Sequence, residues 1–335
     1  MPVLSEEEKS ALCVENFIFH AVHHGEAEPT LHDAVPLGPF EEFFVERVLD
    51  TVKGNRFVFT PGSSTMTALR GIEEDPASFV ETSKRLARQF HRADDRDRHD
   101  GRFKRGILMV TSLSSGRRRF HSLIKLDHFE RVLDIVDQDA GATLAEVRNP
   151  VSENKKALQK SALIELDGEG GNLVVIDHGK RSGITDFFQD FLGVARAREA
   201  SELTAAVAKT VLKTVQTHAG ELSPEMATQW RQRLADVAVR RLECDTDQVF
   251  SDLFGAGGSE AVRATWDTQL EAHGVAGEGF LFDHAKLPTG GPKKYRTAEN
   301  IEINVPPGAL DTFTWDPQPD GSVVITIRTG TLTER

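Results

Sequence analysis

The sequence predicts an α+β fold: an antiparallel sheet with flanking helices, then a helical middle region and a C-terminal β segment. Three observations predict it. Apolar runs 106–113 and 117–129, and again 162–167 and 172–178, are joined by short glycine-containing turns, so each pair forms a hairpin with antiparallel strands. Residues 199–273 carry apolar positions at three- and four-residue spacing, the helical period. The tail returns to short β-prone runs at 301–305, 313–315 and 322–328. The division expected is an α/β domain with a basic hairpin over 1–197 and a helical region closed by C-terminal strands over 198–335.

Taken in order, residues 14–21 read as a strand with Phe17 and Phe19 on one face and Ile18 on the other. Phe40, Phe43, Phe44, Val48 and Val52 predict an amphipathic helix. A short strand at 57–59 ends at Pro61-Gly62, and Gly62 to Thr65 reads as a polar turn. Asp75-Pro76 opens a helix, since aspartate caps well and proline suits a first turn. After the two hairpins, Ile184, Phe187, Phe188, Phe191 and Leu192 mark a helix from Gly183 to Gly193, where a left-handed residue is expected. Helices follow over 199–218, from Ser223-Pro224 to 243, around Val249–Phe254, and from Ser259 through Trp266.

The chain has 335 residues, 39% hydrophobic and 27% charged, enough for about two packed domains. No apolar run approaches the roughly 18 residues of a membrane helix, and no secretory leader is expected. Two cysteines, Cys13 and Cys244, match neither a disulfide framework nor a zinc spacing. These features lead to the expectation of a cytoplasmic protein.

The net charge is −12, yet it is unevenly spread. From Lys84 to Lys125 there are 13 basic and four acidic residues, so this window is +9 and the remainder −21. Such segregation points to a polyanion-binding surface, although a charge run is commonly just a solvated face. Smaller basic groups lie at Lys155, Lys156, Lys160, Lys180 and Arg181, and at Lys286, Lys293, Lys294 and Arg296.

The motifs offer little catalytic chemistry. His20, His23, His24 and His32 cluster, but His23 and His24 would face opposite sides of a strand, so no metal site is expected. GEGGN at 168–172 joins two strands and does not open a helix, and no phosphate-loop lysine or nucleophile elbow occurs; no catalytic residue, metal or cofactor is expected. Glu165, Asp167, Asp177 and Lys180 lie on or beside the second hairpin and suggest, as an alternative, a metal-dependent nuclease or DNA-sensing effector of a defence system. Duplex DNA held by its phosphates fits the charge pattern better, with Arg102, Lys104, Arg105, Arg117, Arg118 and Arg119 as contacts, the last three facing Arg105 along one sheet edge. Lys293, Lys294 and Arg296 form a second group of contacts. Only one tyrosine is present, which argues against base stacking on single strands. A homodimer would double the basic surface, and the acidic helices 199–273 offer a face for a protein partner.

The segment GKRSGITDFFQDFLG (179–193) resembles the DFF-x-DFLG helix of the bacterial nucleoid-associated NdpA family. The tail is similar to that family's closing strands, in Ile301–Asn304, Phe313–Pro317 and Val323–Ile327. The resemblance implies a bacterial protein of the cytoplasm and nucleoid that binds DNA and has no assigned enzyme activity. It carries over no contact residue, and the phenylalanines of DFFQDFLG read as core.

Overall fold

The computed structural model describes residues 4–34, 36–37, 41–92, 105–127, 133–138, 141–146, 158–168, 170–180, 182–288, 293–305, 312–318 and 320–331. The elements in order are α1 (Glu6–Ser10), β1 (Cys13–Val22), α2 (Glu41–Thr51), β2 (Asn55–Phe59), α3 (Ser64–Glu74), α4 (Phe79–Phe90), β3 (Gly106–Ser115), β4 (Arg118–Asp127), β5 (Leu133–Gln138), β6 (Gly141–Glu146), β7 (Leu158–Asp167), β8 (Gly170–Asp177) and α5 (Asp186–Leu192). There follow β9 (Val194–Arg196), α6 (Ala200–Thr217), α7 (Pro224–Arg241), β10 (Glu243–Cys244), α8 (Thr246–Phe254), α9 (Glu260–Ala272), β11 (Phe280–Leu281), β12 (Lys293–Arg296), β13 (Glu302–Val305), β14 (Phe313–Pro317) and β15 (Val323–Ile327). The fold is α+β, as the two hairpins predict. The chain forms two compact units: unit 1 is residues 1–203, 243–248 and 274–282, and unit 2 is 204–242, 249–273 and 283–335.

Unit 1 is built on a seven-stranded sheet in the order β1-β3-β4-β7-β8-β2-β9, antiparallel at each junction. Both faces of its centre are buried. Ile18, Val110, Leu123, Ile164 and Val175 pack in one core with α3, α4 and α5; Phe17, Phe19, Met109, Ile124 and Leu163 pack in the other with α2. This accounts for the near-continuous apolar character of GILMV at the start of β3, which a sheet with one wet face would not need.

Local chemistry sets the helix ends. Gly62 to Thr65 is not a simple turn, as the sequence reading expects: Ser63 caps α3, its Oγ accepting from Met66 N at 3.1 Å. The apolar spacing of Ala68, Leu69 and Ile72 is the signal that the polar run obscures. Asp75 caps a single 3₁₀ turn through Ala77 N (3.1 Å), and α4 follows from Phe79. Lys293–Arg296, within a glycine- and proline-rich stretch, is a strand because it pairs with β13.

The segment after α9 returns to unit 1 through charge. Glu278, 3% exposed, accepts from Arg56 N (3.2 Å) and pairs with Arg56 and Arg196 (3.3 and 3.0 Å). Asn55 Oδ1 accepts from Gly279 N at 2.7 Å.

Gly193 ends α5 at φ +65°, and a Cβ there would lie 2.7 Å from Ser63 Oγ, which donates to Leu192 O at 2.7 Å. Gly193→Ala is therefore expected to destabilise unit 1 by more than the roughly 1–2 kcal/mol that a left-handed residue costs by itself. A denaturation midpoint followed by far-UV circular dichroism checks this, and an unchanged midpoint refutes it.

Unit 2 has α7 capped by Ser223, whose Oγ accepts from Met226 N at 3.1 Å, and α9 capped by Ser259. Trp266 packs with Phe250 and Phe254 at ring distances of 5.8 and 5.9 Å. Two separate two-stranded ladders, β12·β13 and β14·β15, follow.

Candidate nucleic-acid interface

Arg117, Arg118 and Arg119 surround the tight β3–β4 turn, made possible by Gly116 at φ +59°. Their surroundings differ. Arg118 Nε and Nη2 donate to the two carboxylate oxygens of Glu165, each at 2.8 Å, and Nη1 donates to Glu8 at 2.7 Å. The guanidinium also lies over Phe120, 4.9 Å from the ring centre. The hydrogen bond to Glu165 raises the Arg118 pKa, and the bond from Arg118 lowers that of Glu8. Arg118 thus fastens α1 and β7 to the hairpin, and a phosphate would have to displace two carboxylates to reach it. Arg117 and Arg119 are exposed, with no ion pair among the described residues.

Arg105 is exposed as well, but it precedes β3 and so lies at the other end of the sheet. Ten strand residues separate it from the turn, about 33 Å. The expected edge with Arg105 facing Arg117–Arg119 does not form, because an antiparallel hairpin puts the start of its first strand farthest from its turn. Arg102 and Lys104 lie outside the described residues, as do Lys155, Lys156, Arg181 and the remainder of 93–104.

The two ends differ in charge. Glu8, Glu73 and Glu165 attend the hairpin turn, Glu73 reaching His121 Nε2 at 3.3 Å. The Arg105 end carries Arg92, stacked 4.8 Å from the Phe187 ring, exposed Lys180, and the buried Lys125 and Lys160. Arg85 and Arg88 continue this charge along the exposed face of α4, with Arg88 3.8 Å from Glu28. Sequence reasoning counted Arg85, Arg88 and Arg92 but gave them no site; the i, i+3 spacing of Arg85 and Arg88 outside the apolar face of α4 was the signal, and Arg92 lies just past the end of that helix.

Lys125, Lys160 and Asp177 fall in one cross-strand row. Lys160 Nζ donates to Asp177 Oδ2 at 2.6 Å and to Thr185 Oγ1 at 2.8 Å. Asp177 also accepts from Gly179 N, Thr185 N and Thr185 Oγ1 at 2.7–2.9 Å. Burial works to raise the Asp177 carboxyl, but Lys160 and the Thr185 donors outweigh it and hold the group below its usual range. This is a structural clamp on the start of α5.

The alternative nuclease set does not converge. Glu165 faces Asn172, five residues before Asp177 on β8, about 17 Å away, and its odd offset puts it on the other face of the sheet. Asp167 accepts from Asn172 Nδ2 at 2.7 Å, and Lys180 Nζ lies 3.8 Å from Asp186. No group of three or more metal-ligating side chains comes together among the described residues.

The histidines serve packing. His20 Nε2 donates to Ser83 Oγ (3.2 Å) while Nδ1 accepts from His32 N (3.2 Å); His23 Nε2 donates to Phe90 O (2.8 Å) and His91 Nδ1 accepts from His23 N (3.0 Å). Burial, with Arg105 and His91 nearby, lowers the His24 pKa. In unit 2, Lys294 and Arg296 are exposed on β12, opposite Asn304 and Glu302, and Lys293 pairs through its backbone with Val305. Phe188, Phe191 and Leu192 of the DFFQDFLG segment are core, packed with Phe90 in the same cluster.

The chain is thus an α+β protein with exposed arginines at both ends of its large sheet, and among the described residues no helix is long and apolar enough to cross a membrane. Comparison with known families gives the class: a nucleoid-associated protein. The matching family is that of nucleoid-associated protein YejK, also called NdpA; the match covers residues 40–304, or 265 of 335, and the chain belongs to this family. No individual curated protein matches the chain.

Proposed function

We propose that this protein binds duplex DNA in the bacterial cytoplasm and nucleoid through its phosphates, with weak sequence preference and without cleaving it. Membership of the nucleoid-associated family carries the reading. The contacts are the exposed Arg105 at one sheet end and Arg117 and Arg119 at the other, with Lys293, Lys294 and Arg296 from unit 2 and Arg102 and Lys104 from the charged segment. Arg118 supports the hairpin and serves as a positioning residue. The acidic remainder repels phosphate elsewhere and so orients the approach.

Affinity measured by fluorescence anisotropy for duplex, single strand and RNA across salt concentrations tests this. Duplex is expected to bind most tightly, with log K falling linearly in log salt. Each phosphate contact removed should flatten the slope by about 0.9, so Arg117→Glu with Arg119→Glu should flatten it by about 1.8. Arg105→Glu is expected to act independently. If these variants leave affinity and slope unchanged, the contacts are misassigned. Plasmid incubated with the protein and Mn²⁺ is expected to stay intact; nicking lost on Asp177→Asn would restore the nuclease alternative.

A further inference from the structure

The β14·β15 hairpin of unit 2 has a face that the described residues leave largely uncovered. The β14·β15 register pairs Phe313 with Ile327, Trp315 with Ile325 and Pro317 with Val323, so all six of these apolar side chains share one face. Phe313 is buried against Tyr295, at 4.7 Å between ring centres. Trp315, Val323 and Ile327 are 57%, 52% and 57% exposed. An isolated two-stranded ribbon is marginally stable in water, so this one calls for a further strand.

The hydrogen-bond phase says which edge is open. Arg328 N donates to Thr312 O and Gln318 N donates to Ser322 O, each at 2.8 Å. Alternation along the ladder then makes 313/327, 315/325 and 317/323 the non-hydrogen-bonded pairs. The backbone N–H and C=O groups of Val323, Ile325 and Ile327 therefore point away from β14, and β15 pairs with β14 alone among the described residues. On the other edge Pro317 has no N–H to offer.

We propose that β15 pairs antiparallel with β15 of a second copy of this chain, about a two-fold axis at Ile325. The register is self-complementary. Ile325 exchanges two hydrogen bonds with its own mate, and Val323 and Ile327 exchange two each with the partner's Ile327 and the partner's Val323. All three outward N–H and all three outward C=O groups of each copy are satisfied. The apolar side chains fall on one face of the resulting four-stranded sheet, and cross-strand contacts cover Val323 and Ile327. Charge agrees with this register: Arg328 lies diagonally across from the partner's Asp320, so one basic and one acidic end meet at each side of the axis.

Sedimentation velocity of the full chain is expected to show twice the 37.0 kDa chain mass at tens of micromolar protein. Ile325→Pro removes an outward N–H and none of the donors of the β14·β15 ladder, and is expected to return the mass of one chain with an unchanged far-UV spectrum showing the ladder kept. Register is tested by cross-linking with Cys13→Ser as background, since Cys13 is exposed. Ile325→Cys should form a disulfide-linked dimer, because mates in a hydrogen-bonded pair are about 5.5 Å apart at Cα. Val323→Cys should not, because its mates would be about 13 Å apart. A wild-type mass of one chain at these concentrations, an undiminished dimer in Ile325→Pro, or equal cross-linking at the two positions overturns the proposal; the first outcome would leave the edge to another protein's strand.

Discussion

Asp177→Ala is expected to cost unit 1 about 3–5 kcal/mol, the usual penalty for leaving a buried charge without its partner. The Lys160 side chain is 9% exposed and that of Asp177 is fully buried, 2.6 Å apart. Removing the carboxylate strands the Lys160 ammonium beside Phe188 with Thr185 Oγ1 as its remaining acceptor among the described residues, and it takes from Thr185 N and Gly179 N the acceptor that holds the start of α5. Asp177→Asn keeps the acceptor oxygen and should cost less. Adding Lys160→Met to Asp177→Ala should recover much of the loss, since a buried pair replaced by apolar groups is often neutral. All three tryptophans (Trp230, Trp266, Trp315) and the single tyrosine, Tyr295, lie in unit 2. Their fluorescence does not report this loss; hydrogen exchange at the amides of β7 and β8 does. Equal exchange protection in Asp177→Ala and wild type would refute the clamp.

Acid is expected to weaken unit 1 well before carboxylates titrate. Burial holds His20 and His23 neutral, with pKa values near 3. For His20 the bond pattern explains the direction: Nε2 donates to Ser83, so a second proton would sit on Nδ1, directly against the His32 N–H. His32, Lys84 and Arg88 around His20 add repulsion against a smaller pull from Asp33; around His23 the bond to Phe90 O favours the proton, but burial, with Lys125, His91 and Arg92, outweighs it. In the unfolded chain both rings take up protons below about 6.5. Their contribution is therefore complete above that pH and is lost as pH falls toward 3. At pH 5 the linkage amounts to about 2 kcal/mol for each ring, or about 4 kcal/mol for the two. Asp177 adds nothing over this interval, because its lowered carboxyl titrates below it. Glu278, raised by burial despite its two arginines, acts in the opposite sense just above its ordinary pKa. Denaturant unfolding of unit 1 at pH 8 and pH 5 measures the difference, and His20→Asn should shrink it by about 2 kcal/mol. A stability independent of pH across that range would show that the rings protonate without penalty.

Much of the sheet was legible because antiparallel hairpins are local: tight turns at Gly116 and Gly168 announce which strands pair. The order β8-β2-β9 was not, since β2 must travel past β3 to β7 in sequence before it finds β8. The Gly193 end of α5 and the Ser223 and Ser259 caps follow from side-chain chemistry within one turn and appear as expected, whereas the helix expected from Gly183 begins only at Asp186, after Thr185, and leaves Ile184 outside it. The candidate interface was legible as composition and hidden as geometry. Nothing local tells that Glu165 and Glu8, 47 and 110 residues from Arg118, converge on it while Arg117 and Arg119 stay exposed. Nor does a run of basic letters reveal that Arg105 and the Arg117–Arg119 group end up at opposite ends of a ten-residue strand.

Pro317 has a consequence for how far association can run. A ribbon with two receptive edges can add neighbours without limit and lay down a filament along a chromosome. Here the β14 edge lacks the outward donor at Pro317, so under the pairing proposed above it is the poorer edge, and growth through this hairpin is expected to favour stopping once β15 is matched. Under that proposal a pair of chains carries two sets of the proposed contacts, and the expected product is a bridge between two DNA segments in place of a coat.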